Sequence, residues 1–287
     1  MVCCTKSTIA DSSADSDHCY IIMRISNIYF YLFCRTHAVK ACRADGKYFL
    51  SHISHTCGNC NAVLFCDSHL YELLREFIRE AARGGIDIFR IFDSFNNPES
   101  MALAIDTVKS MGKVAEVSFC YTDNILAPKY EKFSLDYYLK LARELEKMGA
   151  DILCIKDMAG LLTPYTCYEL VKELKNTLSI PVDIHSHYTA GLASMSLLKG
   201  IEAGADIVDT AMSPLSGGTS HMATESLVAA LQGTDYDTGL DLKQLNVVRA
   251  YFAKLREKYI ANGQISPKSL GVDANTLLYQ VPGGMFS

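Results

Sequence analysis

Two histidines separated by one residue, His185 and His187, lie in the stretch DIHSHYT at residues 183–189. In a β-strand, residues i and i+2 project from the same face, so both imidazoles would point the same way near the end of a predicted strand. Neutral imidazole is a common ligand of Zn²⁺ and similar ions, and two such rings on one face could bind a metal. The pair could equally be two hydrogen-bonded histidines in a protein core, and its spacing alone is compatible with both interpretations.

A lysine, Lys156, interrupts the apolar run DILCIKDM at residues 151–158, on the preceding predicted strand. Burial disfavours the charged form of a lysine, so its neutral amine would be favoured there. A neutral amine can add CO2 to form a carbamate, which is an anionic oxygen ligand. Lys156, His185 and His187 could then hold Zn²⁺ or a similar ion. The alternative is an ion pair between Lys156 and Asp157 or a carboxylate on a neighbouring strand.

These residues belong to a regular alternation of strand and helix patterns that begins near residue 70. Strand-like runs lie at residues 86–94, 114–121, 151–158, 181–189 and 205–213. Helical periodicity lies at residues 70–85, 96–112, 134–149, 163–178 and 192–204. A repeat of roughly 30 residues is typical of a parallel sheet with helical crossovers. The sequence therefore predicts an α/β fold of the TIM (β/α)8-barrel type with five recognisable C-terminal βα units.

A closed eight-stranded barrel would need three more strands, which residues 1–70 would have to supply. Candidate strands lie there at residues 20–25 and 28–34, with no helix of convincing length between them. The predicted barrel is therefore incomplete. The edge strands of an unclosed sheet are prone to associate, and we expect a homo-oligomer.

The composition fits a globular protein, with 49% hydrophobic and 21% charged residues in 287. The net charge of −5 gives no reason to expect nucleic acid or an anionic membrane as a partner. The odd number of cysteines, 11, and the lack of a secretion signal favour a reducing, cytoplasmic location over a disulfide framework.

Residues 1–69 differ from the rest of the chain, because eight of the 11 cysteines precede residue 67. The segment HISHTCGNC places His52, His55, Cys57 and Cys60 within nine residues, which could be a zinc knuckle. A lone CxxC is a weak metal motif, and translation of an out-of-frame or intronic stretch is the competing hypothesis. We treat this part as an atypical Cys- and His-rich segment that is disordered or aberrant.

Six segments of the chain, taken in order, resemble the biotin-dependent carboxyltransferases. They are FRIFDSFN, EVSFCYTDN, GADILCIKDMAGLLTPY, VDIHSHYTAGLA, ADIVDTAMSPLSGGTSHMATESLVAAL and QVPGGM. The family includes the carboxyltransferase domain of pyruvate carboxylase, the oxaloacetate decarboxylase α subunit and the transcarboxylase pyruvate-binding subunit. The resemblance implies a carboxyltransferase-type barrel at residues 70–235, followed by the start of a helical funnel at residues 236–287.

The resemblance also implies a metal site and a reaction. Lys156 resembles the carboxylated lysine of the family, and His185 and His187 resemble its histidine pair. With an aspartate, these residues hold a divalent metal, for which Zn, Mn and Co are the candidates. Ser287, three residues after Gly284, matches the catalytic hydroxyl residue that carries a proton between biotin and the pyruvate enolate. The implied reaction is reversible carboxyl transfer between N-carboxybiotin and pyruvate or oxaloacetate.

The implied partners are pyruvate or oxaloacetate and a biotin carrier on a separate domain or subunit, since no AMKM-like biotinylation motif occurs in the chain. If the chain belongs to the decarboxylase branch of the family, the resemblance also implies that it associates with membrane decarboxylase subunits. Two family motifs have no counterpart here: a DTTLRDxHQS-like motif with the metal aspartate, and an LLRGxNxVGY-like motif with the arginine that holds the substrate carboxylate. The nearest fragments, CRADG at 42–46 and GNCNAVLF at 58–65, are assigned to neither.

Further candidates lie at other strand ends. Arg90 and Asp93 are weak substrate-binding candidates, with an ion pair that lines the barrel as the alternative. Thr219, a third such candidate, and Ser220 lie in a loop whose backbone N–H groups could meet an anion. His221 is expected in an exposed loop.

The missing aspartate and arginine leave three functions open. The first is biotin-dependent carboxyl transfer of the oxaloacetate decarboxylase or pyruvate carboxylase type. The second is a catalytically dead remnant that acts as a structural or subunit-interface protein. The third is a biotin-independent, metal-dependent carbon–carbon lyase of the related barrel superfamily.

Overall fold

A computed structural model describes residues 3–5, 18–25, 28–35, 66–128, 131–266 and 271–279 of the chain. The chain divides into two compact units, one of residues 1–118 with 147–151 and the other of residues 119–146 with 152–287. Each unit contains strands and helices of its own.

In the first unit, antiparallel and parallel pairing meet at one strand. β1 (Cys3–Thr5), β2 (His18–Ile25) and β3 (Ile28–Arg35) pair antiparallel in chain order. β4 (Ile86–Asp93) pairs antiparallel with β3 and parallel with β5 (Val114–Cys120). The change of direction at β4 marks the beginning of the regular βα pattern.

The two strands predicted before residue 70 are present, but they do not form βα units. β2 and β3 are joined by two residues, and Ile25 lies opposite Ile28 in their antiparallel register. Consecutive parallel strands need a crossover of a dozen or more residues, whereas a two-residue connection suits a hairpin. This hairpin therefore does not supply the units that a closed (β/α)8 barrel would need.

Two helices accompany β4 in the first unit. α1 (Cys66–Arg83) buries Leu74, Ile78 and Ala82, which recur every four residues and so lie on one face. α2 (Pro98–Ser110) follows β4 and begins with proline, which suits the first turn of a helix because the missing N–H would have no partner there.

The second unit contains three parallel strands. β6 (Ile152–Asp157), β7 (Val182–Ser186) and β8 (Ile207–Val208) pair in this order, and their register sets Lys156 beside His185. Every residue of β7 is buried, as expected for a strand in a parallel sheet that is covered on both faces. β8 is shorter than its predicted extent, because the chain leaves the ladder after Val208.

The helices that follow β5 complete the alternation. They are α3 (Leu135–Lys147), α4 (Pro164–Thr177), α5 (Ala193–Glu202), α6 (Thr224–Leu231), α7 (Leu242–Ala261) and α8 (Thr276–Tyr279). Gly149 and Gly204 have positive φ, which lets α3 and α5 turn sharply into the next strand. The predicted α/β fold, in which five parallel strands β4 to β8 alternate with helices, is confirmed. None of the helices in the described parts of the chain has the length and apolar character that a membrane crossing requires.

Candidate metal centre

The ends of β6 and β7 bring three of the predicted site residues together. Nζ of Lys156 lies 3.3 Å from Nε2 of His185. The same His185 nitrogen lies 3.2 Å from Nε2 of His187. Lys156 is fully buried and His185 is 5% exposed, whereas His187 is half-buried, so the amine and one of the two imidazoles are withdrawn from water. The period-two spacing and the parallel register thus place both imidazoles and the amine on one side of the strands.

Each of the two imidazoles is held through its other nitrogen. Nδ1 of His185 lies 2.6 Å from Oδ2 of Asp209, just after β8. Nδ1 of His187 lies 2.6 Å from the backbone oxygen of Thr219. A carbonyl oxygen and an ionised carboxylate only accept hydrogen bonds, so Nδ1 is the protonated nitrogen of both rings. Nε2 then carries the lone pair, as in metal sites where a supporting acceptor fixes the tautomer.

The environment keeps both rings neutral. Burial, with the nearby charge of Lys156, holds the pKa of His185 well below its usual range. Burial, with the neighbouring His221, lowers the pKa of His187 to about 3. Metal ions bind the neutral form of imidazole, so at neutral pH neither histidine has to lose a proton before binding.

The prediction that His221 lies in an exposed loop is wrong. Its side chain is half-buried, and its ring centroid lies 4.4 Å from that of His185 and 4.8 Å from that of His187. The loop after β8 folds back over the end of β7, where the Tyr188 N–H donates to the Ser220 oxygen at 2.6 Å. The only sequence signal is a histidine shortly after a strand end, and the fold-back depends on tertiary contacts.

The carboxylate of Asp157 stabilises the loop after β6 through hydrogen bonds. It accepts hydrogen bonds from the backbone N–H groups of Leu161 at 2.8 Å and Leu162 at 3.0 Å, and from the hydroxyl of Ser186 at 2.8 Å. Burial raises the pKa of Asp157. Adjacent strand residues project to opposite faces, so these contacts lie on the other side of β6 from the Lys156 amine. The alternative of a Lys156–Asp157 ion pair therefore has no support from the contacts of this carboxylate.

The loop after β6 also packs tightly against the loop after β7. Gly160 has φ of +71°, and a Cβ placed on it would lie 2.9 Å from the backbone oxygen of His187. Only glycine combines this conformation with this closeness. The backbone of His187 is thereby held from the side of β6 as well as by its own strand.

The weaker candidates lie in other surroundings. Arg90 forms a two-point ion pair with Glu116 in the first unit, through Nε–Oε2 at 3.0 Å and Nη2–Oε1 at 2.7 Å, which fits the ion-pair alternative. Asp93 accepts hydrogen bonds from the N–H groups of Phe95 and Asn97 and so shapes the turn after β4. Their role in substrate binding stays a prediction, as does that of Thr219.

Several predicted residues lie outside the described part of the chain. They are Ser287 and the zinc-knuckle group His52, His55, Cys57 and Cys60. The same holds for the two fragments that came nearest to the missing family motifs.

The donor set suits a divalent transition metal. Two ligands on a tetrahedral zinc ion with bonds of about 2.0–2.1 Å lie about 3.3 Å apart. The two Nε2 atoms, 3.2 Å apart, have that spacing. A carbamate on the buried Lys156 would replace its positive charge by an anionic oxygen ligand. The residues present therefore fit a metal ion.

Comparison with known proteins places the chain in a family. The family model described as HMGL-like matches residues 91–251, more than half of the chain. Over 216 residues the chain is 55% identical to a pyruvate carboxylase subunit of Methanocaldococcus jannaschii, covering 75% of this chain and 37% of that protein. It is 41% identical over 218 residues to the methylmalonyl-CoA carboxyltransferase 5S subunit of Propionibacterium freudenreichii subsp. shermanii, covering 75% and 41%.

A solved structure agrees with the sequence relatives. The carboxyl transferase domain of Rhizobium etli pyruvate carboxylase with pyruvate and biocytin superposes with a TM-score of 0.70 at 38% identity, covering 75% of this chain and 36% of that one. The chain thus spans 37–41% of the length of the two sequence relatives. This chain belongs to the HMGL-like family and is homologous to the biotin-dependent carboxyltransferases.

Proposed function

We propose that the chain is a carboxyltransferase of the pyruvate carboxylase and transcarboxylase type, which moves a carboxyl group between N-carboxybiotin and pyruvate or oxaloacetate. The observation that carries this proposal is the meeting of Lys156, His185 and His187 at the ends of β6 and β7. The relatives support the substrates: the Rhizobium etli domain binds pyruvate and biocytin, the lysine conjugate of biotin. The biotin of this chain's reaction would be attached to a separate carrier.

Carboxylation of pyruvate would break one bond and form another. The N–C bond of N-carboxybiotin breaks, and a C–C bond forms at the methyl carbon of pyruvate. The proton that leaves this methyl group is taken up by the biotin nitrogen. By its match to the family motif, the hydroxyl of Ser287 would relay that proton. Decarboxylation of oxaloacetate is the same sequence reversed.

The proposed ligands are the Nε2 atoms of His185 and His187 and a carbamate on Lys156. A Zn²⁺, Mn²⁺ or Co²⁺ ion held there supplies a Lewis acid that polarises the keto oxygen of the substrate. Asp209 and the Thr219 carbonyl orient the two rings and keep their protons on Nδ1. The burial of Lys156 and His185 limits the access of water to that side of the proposed site.

The rest of the chain has assigned roles in this proposal. Residues 70–235 form the barrel-type catalytic part, and residues 236–287 begin a helical funnel. Arg90, Asp93 and Thr219 are weak candidates for substrate contact. Copies of the chain associate, and membrane decarboxylase subunits are the partners if the oxaloacetate decarboxylase branch applies.

The test is an assay of the purified full chain. We expect it to retain a divalent metal and to decarboxylate oxaloacetate faster when free biotin is added. His187→Ala should abolish both the metal and the biotin-stimulated rate. Bound metal with a rate that biotin does not change would favour the lyase. Neither metal nor turnover would favour a structural remnant.

A further inference from the structure

A third imidazole adjoins the two proposed metal ligands. His221, in the loop after β8, approaches both rings of the pair, and ligand nitrogens of His185, His187 and His221 all lie within 4.8 Å of one another. All three residues belong to the second unit. The family resemblance implies no role for His221, so this group of three histidines is a feature of the structure itself.

His221 is anchored in the same way as its two neighbours. Its Nδ1 lies 2.9 Å from the backbone oxygen of Ser186. A carbonyl oxygen only accepts, so this Nδ1 carries the proton and the lone pair lies on Nε2. His185 and His187 are anchored through Nδ1 to Asp209 and to the Thr219 carbonyl. Each of the three rings has an acceptor at Nδ1, so each carries its lone pair on Nε2.

The spacing of the histidine nitrogens suits a metal ion. The Nε2 atoms of His185 and His187 lie 3.2 Å apart, close to the spacing of about 3.3 Å that two ligands have on one tetrahedral zinc ion. The Lys156 amine, 3.3 Å from the His185 nitrogen, faces the same point. The positive charge of this amine would repel a metal ion, whereas a carbamate formed on Lys156 would be an anionic ligand for it. On a tetrahedral ion with bonds of about 2.0–2.1 Å the ligand nitrogens would lie about 3.3 Å apart, so a pair at the 4.8 Å limit would have to close by about 1.5 Å.

We infer that His221 is a third imidazole ligand, so that the chain holds a zinc-type ion with His185, His187 and His221. This inference rests on the metal site of the proposed function, and it does not depend on carboxyl transfer. Three neutral nitrogens favour Zn²⁺ or Co²⁺ over Mg²⁺ and Ca²⁺, which prefer oxygen ligands. Residues of the second unit alone could then hold the metal, whether or not another part of the chain supplies the aspartate ligand that the family resemblance implies.

The first test compares Zn²⁺ affinity of the full chain and three variants by titration against a chromophoric chelator. In His221→Asn the side-chain amide nitrogen can still donate to the Ser186 oxygen, but the Nε2 ligand is gone. We expect binding to weaken by more than about 100-fold, the upper end of the loss seen when only a supporting residue is removed. His187→Asn should lose binding similarly. His69→Asn, at a histidine outside the group, should bind as the unchanged chain does.

The second measurement needs no variant and decides the matter if His221→Asn fails to fold. X-ray absorption of the zinc-loaded unchanged chain counts the coordinated imidazoles, and we expect three. Two imidazoles, or unchanged zinc affinity in folded His221→Asn, would overturn the role of His221 and leave the proposed carboxyltransferase intact. No zinc binding at all would overturn the metal site of both proposals. Three imidazoles without biotin-stimulated turnover would support the His221 ligand while the proposed function fails.

Discussion

At the scale of single residues, Asp209 has the clearest supporting role. Its carboxylate lies 2.6 Å from Nδ1 of His185, while the ligand atom assigned to that ring is Nε2. A negative charge at this position makes the imidazole a stronger ligand and fixes its orientation. We therefore regard Asp209 as a positioning residue that acts through His185.

Asp209→Asn should weaken Zn²⁺ binding by about 10-fold, and Asp209→Ala by up to about 100-fold. The asparagine variant can still accept the hydrogen bond but has no charge, so the two variants separate charge from orientation. The measurement is chelator competition on the purified chain. Asp235→Asn, at an exposed position, is the control and should leave the affinity unchanged. Equal affinity in all three variants would show that Asp209 does not support the metal.

Part of the site can be predicted from residue types and spacing. His185 and His187 share a face because strand residues alternate, and Lys156 meets them because β6 and β7 are parallel neighbours. The parts played by Asp209 and His221 do not follow from spacing, since the position of the loop after β8 depends on its contacts with the end of β7. The acidic residue that ends the run ADIVD is the one available signal for Asp209.

At the scale of elements, α5 packs against β7 and α4 at a point that only glycine allows. A Cβ on Gly200 would lie 2.2 Å from Cδ1 of Ile184 and 3.0 Å from Sγ of Cys167, and both of these side chains are fully buried. The helix can approach the strand of the histidine pair closely because this position has no side chain.

Gly200→Ala should therefore destabilise the protein by about 1–3 kcal/mol, the usual cost of overpacking a core. Ile184→Val removes the Cδ1 methyl group that the new Cβ would meet. Urea unfolding of the two single variants and the double variant should show that Ile184→Val costs less, or nothing, when Gly200→Ala is present. Strictly additive effects would contradict the proposed collision.

The helices and strands after residue 70 can be predicted from the sequence, because the helical periodicity and the apolar runs there end at residues that favour turns. The predicted strand at 205–213 is too long, as only Ile207–Val208 belong to the ladder. An isolated apolar run does not show where pairing with a neighbour stops.

At the scale of the whole molecule, two buried tyrosine side chains should make the folded protein less stable at alkaline pH. Burial raises the pKa of Tyr121 and that of Tyr138, whose rings stack with centroids 5.4 Å apart. Both groups are neutral in the folded state at a pH where the unfolded chain ionises them, at about 10. Their contribution is therefore fully present below pH 10 and is lost as the pH rises above it.

Each of these two tyrosines should lower the free energy of unfolding by about 1.4 kcal/mol per pH unit above pH 10. Urea midpoints measured between pH 8 and about 11.5 would show this slope. Tyr121→Phe removes one of the two groups and should make the decline less steep. An identical decline in this variant would contradict the assignment.

The whole-chain architecture can be predicted only in part. The sequence indicates strands at 20–25 and 28–34, yet it does not predict the antiparallel pairing that joins them to each other and to β4. Their apolar residues fit either direction of pairing, and the two-residue connection is the only sequence feature that favours a hairpin.

The central claim is that the group of Lys156, His185 and His187 transfers a carboxyl group to biotin. The most direct measurement follows the label from [4-¹³C]oxaloacetate in the metal-loaded full chain with free biotin, by ¹³C NMR. We predict a signal of N-carboxybiotin, which is absent in Lys156→Met. Label that appears only as CO2 or bicarbonate, at the same rate with and without biotin, would contradict the claim.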